Sequence, residues 1–283
     1  MMMKNRGIIP INKPKDWTSF DVVNKLKFKL KPLKVGHLGT LDPMATGVLL
    51  VTVGKATKLF DIMQEKTKTY VATFQFGYET DTLDSTGEIN LKCDKLPTND
   101  ELLSVIPKFI GKISQIPPLY SAKSVNGVRA YELARQGVEF ELKPKIVEIF
   151  NIKILSYVNG SLTLEIECGS GTYIRSIGRD IAYELGSLAT MTSLMRTKVG
   201  NFDLSDCLNI QEIDDVQQSI VPIKSVLTFE SLNLDEKETF KLLNGQRLNI
   251  IKADGVYALE DEHDIIALIE VKENIAKMSL FLG

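Results

Sequence analysis

An α+β fold is what this 283-residue sequence predicts, on three observations. Strand-like and helix-like segments are interleaved without the strict βαβ alternation that builds a parallel sheet. Asn159-Gly160 lies between two strand-patterned runs, Ile146–Tyr157 and Ser161–Cys168, and is the strongest short signal for an antiparallel hairpin. From about Leu232 the chain breaks into short strands with acidic turns between them, so a small β-rich unit is expected at the end. Residues 1–228 form the larger predicted domain and 229–283 the smaller.

Taken in order, Ile8–Pro14 reads as a short strand closed by Lys13-Pro14. Thr18 is placed to cap a helix running to about Leu30, with Asp21 in the acidic position of a capping box. Lys25, Lys27, Lys29 and Lys31 make that helix a basic patch. Gly36–Gly47 reads as loop, Val48–Val53 as a buried strand and Lys55–Met63 as a short helix. Thr69–Phe76 alternates polar and apolar residues, as a half-buried strand does. Asp81–Gly87 reads as a polar turn and Thr98–Ile110 as helix. Tyr120–Val125 followed by Arg129–Gly137 suggests a strand or loop, then a short helix. After the hairpin, Gly169–Thr172 breaks the chain before an amphipathic helix over Tyr173–Leu185, and Leu194–Val199 is strand. In the tail, Glu236–Asn244 reads as helix, and Gln246–Ile251, Val256–Leu259, Ile265–Val271 and Lys277–Phe281 as strands.

Composition excludes several classes. The longest apolar run is too short to span a bilayer, and the N-terminus has no apolar stretch of signal-peptide length, so a cytoplasmic protein without a membrane partner is expected. Cys93, Cys168 and Cys207 are far apart with no CxxC pair, and His37 and His263 are the only histidines, so no metal site is expected. Gly54-Lys55 lacks the earlier glycine and the Ser/Thr of a phosphate loop. The net charge of −2 conceals a split: residues 1–70 hold 13 Lys/Arg against 5 Asp/Glu, and the other 213 hold 21 against 31. Such asymmetry suits a polyanion bound on one face, although a solvated lysine surface would look the same.

Chemistry must then run on Asp, Tyr, Arg, Lys or a thiol. Asp42 stands in a Gly- and Pro-punctuated loop, GHLGTLDPMATG, that leads into the buried strand. A carboxylate there is poorly solvated, which suits nucleophilic or acid–base work, although an Asp-Pro pair alone is more often a turn. Tyr70 opens a strand in Lys68-Thr69-Tyr70, where core packing is the ordinary role of a tyrosine. Arg175 falls in the first turn of the Tyr173–Leu185 helix, where its charge opposes the macrodipole; a carboxylate partner reverses that, and Asp42 is the natural one. Asp81-Thr82-Leu83-Asp84-Ser85-Thr86 is read as a solvated turn.

GHLGTLDPMATGVL, KTY at a strand start, and SGTYIRS followed by LMRTKVGNF together resemble the TruB family of pseudouridine synthases, over roughly Gly7–Leu227. The segment QIPPLYSAKSVNGVRAYELARQG looks like that family's RNA-clasping thumb, here about residues 115–145, and 229–283 is similar to its small C-terminal RNA-binding domain. The resemblance implies a mixed, mainly antiparallel central sheet with flanking helices. It also implies isomerisation of uridine 55 in the tRNA T loop, with base flipping and no cofactor. Asp42 matches the catalytic aspartate, Arg175 its partner holding the pKa down, and Tyr70 the residue against the target base. His37, Tyr173, Leu194 and Arg196 match substrate-contacting positions, while Lys13, Lys58, Lys123 and Arg129 are candidate phosphate contacts. The partner implied is a tRNA T-stem-loop met by a monomer without an obligatory protein partner. Two alternatives stay open, a tRNA-folding chaperone whose catalysis is incidental and a guide-RNA-dependent synthase.

Overall fold

The computed structural model describes residues 5–64, 66–213 and 215–283. The chain begins with β1 (Gly7–Lys13), α1 (Ser19–Lys29), β2 (Val35–Leu38) and β3 (Thr46–Val53). A 3₁₀ turn at Gly54–Leu59 precedes α2 (Phe60–Gln64) and then β4 (Lys68–Phe76). A hairpin of β5 (Tyr78–Thr80) and β6 (Ile89–Lys92), then α3 (Asn99–Val105) and β7 (Gly111–Gln115), lead to the expected thumb. That segment holds β8 (Ser124–Val125), β9 (Val128–Arg129) and α4 (Ala130–Arg135). Next come β10 (Lys145–Val158), β11 (Ser161–Cys168), α5 (Ile174–Glu184), β12 (Ala189–Val199), β13 (Phe202–Asp203) and β14 (Leu208–Asn209). The tail contains β15 (Glu230–Ser231), α6 (Glu236–Leu243), β16 (Leu248–Asn249), β17 (Gly255–Glu260), β18 (Ile265–Lys272) and β19 (Ile275–Phe281).

The main sheet runs β14-β1-β3-β12-β4-β11-β10-β7, with β2 on β3 and β13 on β12. Its pairings are antiparallel except β1 with β14 and β3 with β12. The β3–β12 contact is only two residue pairs long, Met195 with Thr46 and Arg196 with Gly47.

Side-chain alternation decides what covers each face. Ile9, Ile11, Leu49, Val51 and Val53 pack under α1 with Val22 and Leu26. Tyr70, Ala72 and Phe74 pack with Ile174, Ile177 and Ile181 of α5. The intervening residues Ile8, Val48 and Leu50 share a cluster with Ala258, Ile265 and Leu268 of the tail sheet, whose order is β15-β17-β18-β19-β16. Both helices therefore flank one face, and the tail sheet covers part of the other.

Local signals behave as their chemistry requires. Thr18 caps α1 with a complete capping box through Asp21. Asn159 (φ 50°) and Gly160 (φ 76°) form the hairpin turn between β10 and β11. Three expectations are corrected. Gly36–Leu38 is strand rather than loop, because β2 pairs with β3 along its whole length. Lys55–Met63 starts as 3₁₀ and becomes α-helix only at Phe60. Within Gln246–Ile251 only Leu248–Asn249 is strand, since its partner β19 offers just Ala276 and Ile275 there. The edge strand β7 had no expectation; its alternation is short and weak, and its pairing with β10 creates it. No helix among the described residues is long and apolar enough to cross a membrane.

Candidate active site

Asp42 sits in the loop between β2 and β3, held on both sides. The Leu41 amide donates to Ser19 Oγ at 2.9 Å, and that hydroxyl lies 3.3 Å from the Leu41 carbonyl, which ties the loop to the first turn of α1. On the other side the Pro43 carbonyl accepts from Lys13 Nζ at 3.1 Å and from the Asp16 amide at 2.8 Å. The Ala45 amide closes a turn onto the Asp42 carbonyl at 3.0 Å. Gly47 (φ +106°) allows β3 to start against β12, where a Cβ would fall 2.2 Å from the Arg196 carbonyl oxygen.

Arg175 comes from α5 and grips Asp42 with two parallel contacts. Nε lies 3.1 Å from Oδ2 and Nη2 donates to Oδ1 at 3.2 Å. Its other donors are engaged too: Nη2 to the Tyr120 carbonyl at 3.0 Å, Nη1 to the Thr82 carbonyl at 2.9 Å and to Asp84 Oδ2 at 3.2 Å. A fork of five N–H groups fits this set of acceptors, and a lysine ammonium would not. The Arg175 side chain is 7% exposed and that of Asp42 33%, so the carboxylate keeps an open side.

Asp84 was missed by the reading of residues 81–86 as a solvated turn. It is buried, and its Oδ1 accepts from Thr82 Oγ1, the Thr86 amide and Thr86 Oγ1, which folds the turn around the carboxylate instead of leaving it in water. Two carboxylates thus share one guanidinium. Burial pushes the Asp42 carboxyl above the usual aspartate range; Arg175 and Lys13 pull it down, and Asp84 adds to the rise. Arg175 does pull the Asp42 pKa down, as its expected role requires, but burial and the second carboxylate outweigh that pull and the net shift is upward.

Tyr70 stands at the start of β4, buried, directly across from Arg196 on β12. Burial raises its phenol pKa and the nearby Arg196 draws it partly back, so the hydroxyl keeps its proton at neutral pH. Arg196 was expected to touch RNA; the structure places it inside, 1% exposed, with Nε donating to the Val48 carbonyl at 2.7 Å and Nη2 to the Gly39 carbonyl at 3.3 Å. Lys13 as a phosphate contact is corrected likewise. It is fully buried, with its ammonium on the carbonyls of Pro14, Trp17 and Pro43, and burial lowers its pKa to about 8. Lys68, also buried and two residues before Tyr70, is lowered to about 8 for the same reason. Three cations are therefore buried, and Arg196 adds to the lowering of both lysines.

Of the other expected residues, His37 lies half-buried on β2, its pKa lowered by burial and by Arg196, with a buried Nδ1 that has no hydrogen-bond partner among the described residues. Leu194 packs in the same cluster as Tyr70 and Leu41. Tyr173 precedes α5, where its amide donates to Gln115 Oε1 at 2.9 Å and its carbonyl accepts from Gln115 Nε2 at 3.2 Å. Lys123 and exposed Arg129 lie on the β8–β9 hairpin, with Arg129 donating to the Ala122 carbonyl. Lys58 lies apart from them, exposed, beside the Phe281 carbonyl of the tail.

The same fold occurs in a chain of the crystal structure of a Cbf5-Nop10-Gar1 complex, with a TM-score of 0.72 and 22% identity over 98% of this chain and 84% of that one. A chain of the archaeal box H/ACA sRNP Nop10-Cbf5 complex gives 0.69 and 21% over 99% and 85%. Residues 25–174 match the family model described as TruB family pseudouridylate synthase (N terminal domain), which sets the class: the protein is a pseudouridine synthase, an isomerase. Curated proteins called tRNA pseudouridine synthase B are similar along nearly the whole chain. The one from Dehalococcoides mccartyi strain CBDB1 is 38% identical over 276 residues, covering 93% of this chain and 92% of its own. The one from Mycoplasma mobile is 39% identical over 279 residues, covering 98% and 94%. This chain belongs to the TruB family.

Proposed function

We propose that this chain converts uridine 55 in the T loop of tRNA to pseudouridine, and that Asp42 is the group that acts on the flipped nucleoside. The observation that carries the proposal is the Asp42 carboxylate itself, gripped by Arg175 on one side and open on the other, with Tyr70 buried in the cluster that also holds the loop residues Leu41 and Met44. The relatives' shared name supports tRNA as the substrate.

The reaction breaks the N1–C1′ bond, turns the base and forms a C5–C1′ bond. The C5 proton leaves and N1 gains one, so substrate and product are isomers and no co-reactant is consumed. An ionised Asp42 serves both for attack at C1′ and for removing a ribose proton toward a glycal. Arg175 fixes its rotamer and favours the charged form. A neutral Tyr70 is suited to donate a proton or to pack against the base. Lys13, Lys68 and Arg196 supply buried positive potential, which favours an incoming phosphate backbone without touching it. The turned-out base costs a few kcal/mol of lost stacking, to be recovered by its contacts with the protein.

The test is tritium release from [5-³H]uridine in a bare T-stem-loop transcript. Release with no accessory protein or guide RNA is expected, and its absence on the bare RNA would favour the guide-dependent alternative. A chain that improves tRNA folding but releases no tritium would favour the chaperone reading instead.

A further inference from the structure

α1 carries an unusual outer face. Its buried side is Ser19, Val22, Val23 and Leu26. A helix turns 100° per residue, so Phe20, Asn24, Lys27 and Phe28 fall together on the opposite flank, and Lys31 follows just beyond the C-cap. Phe20 is 62% exposed and Phe28 78%. Single exposed apolar residues are ordinary, but these two lie two turns apart on one stripe, about 12 Å. The Lys31 ammonium sits 5.4 Å from the Phe28 ring centroid, and on the neighbouring flank Lys25 sits 5.5 Å from the Trp17 ring. Of the acids near the helix start, Asp21 is engaged by the Thr18 amide and hydroxyl, leaving Asp16 exposed. The first turn of this helix is pinned to the Asp42 loop through Ser19.

From these residues we propose that the outer face of α1 is a second contact for the RNA substrate, outside the target nucleotide. Lys27 and Lys31 take backbone phosphates, and Phe20 and Phe28 offer flat faces to unpaired bases. Alternating cations and exposed aromatic rings is the surface that single-stranded segments of RNA stack on, and the excess of basic residues before residue 70 gives it the complementary sign. The proposal rests on the RNA-substrate reading given above. Because α1 runs some 16 Å from a start that abuts the site, RNA continuing past the flipped base has a platform along it.

The test uses the full chain carrying Asp42→Asn, so that turnover does not change the ligand, and filter binding of an unmodified tRNA transcript between about 50 and 200 mM salt. Phe20→Ala with Phe28→Ala is expected to weaken binding fivefold or more. Lys27→Ala with Lys31→Ala should make the log–log salt slope shallower by about 1.4 to 1.8, the share of two phosphates. The control is Lys112→Ala with Lys153→Ala on the far strands β7 and β10, which should leave the slope within about 0.3 of the parent. All four substituted side chains are exposed, and far-UV circular dichroism checks that the helix remains. Unchanged affinity in the Phe pair together with an unchanged slope in the Lys pair overturns the proposal. So does binding to phosphatidylserine vesicles that the Phe pair abolishes while tRNA affinity stays constant, which would make the face a membrane contact. Tritium release by the unmutated chain is measured in parallel and reports only on the reaction. If release fails while the α1 pairs still weaken tRNA binding, the reaction assignment falls and the α1 contact stands.

Discussion

At the scale of single residues, two carboxylates on one guanidinium control the charge of the site. In the proposed reaction Asp42 acts ionised, and burial holds its pKa above the ordinary aspartate value of about 3.9. Turnover should therefore rise with pH through a limb placed higher than a solvated aspartate would give. Asp84 contributes to that rise, so Asp84→Asn should move the limb to lower pH, read from the pH profile of kcat/KM in single-turnover tritium release. A limb that stays in place would show that the two charges are not coupled. Asp42→Asn keeps the size of the side chain and most of its hydrogen bonds. We expect at least a ~1,000-fold loss of turnover with tRNA affinity held within about threefold, since in the proposed mechanism the group acts in the transition state more than in binding.

Elements position that chemistry through backbone geometry. Gly47, the second residue of β3, is held at positive φ against the Arg196 backbone, so Gly47→Ala meets both strain and a clash. A loss of more than about 2 kcal/mol in urea unfolding is expected, with turnover reduced because the Asp42 loop runs directly into the displaced strand. Thr18→Ala removes only a cap, at about 1 kcal/mol. Its turnover should remain close to the parent's, since Ser19, not Thr18, holds the loop. The helix boundaries and the hairpin were legible because caps and turns are local chemistry: Thr18 with Asp21, and Asn159 with Gly160, act within three residues. β2 and β7 were not legible, because each is a short edge strand that exists through its partner across the sheet.

Across the whole molecule, the tail sheet and the main sheet share buried residues. Ile8, Val48 and Leu50 meet Ala258, Ile265 and Leu268, and Arg6 pairs with Asp261 at 2.9 Å. Removing residues 229–283 would uncover that face of β1 and β3, directly behind the Asp42 loop. The shortened chain should lose at least ~10 °C in Tm by calorimetry and bind a hydrophobic dye. An unchanged Tm would mean that the two sheets are stable independently. The acidic balance of the tail, 11 Asp/Glu to 6 Lys/Arg, fits this supporting contact better than it fits a basic RNA face.

The sequence by itself determined the fold class, the order of most elements, and the family, because a block such as GHLGTLDPMATGVL carries its chemistry in adjacent positions. It also singled out Asp42 and the partner that its helix-start position asked for, Arg175. Tertiary structure decided which charges are buried and with whom. Lys13 and Arg196 look like surface cations in the sequence, yet the fold turns both inward onto backbone carbonyls. Asp84 looks like a turn residue, yet it shares the guanidinium of Arg175. The physical reason is common to all three. Burial and pairing depend on groups brought together from β1, β3, β12, α5 and their loops, and separation along the chain carries no record of that meeting.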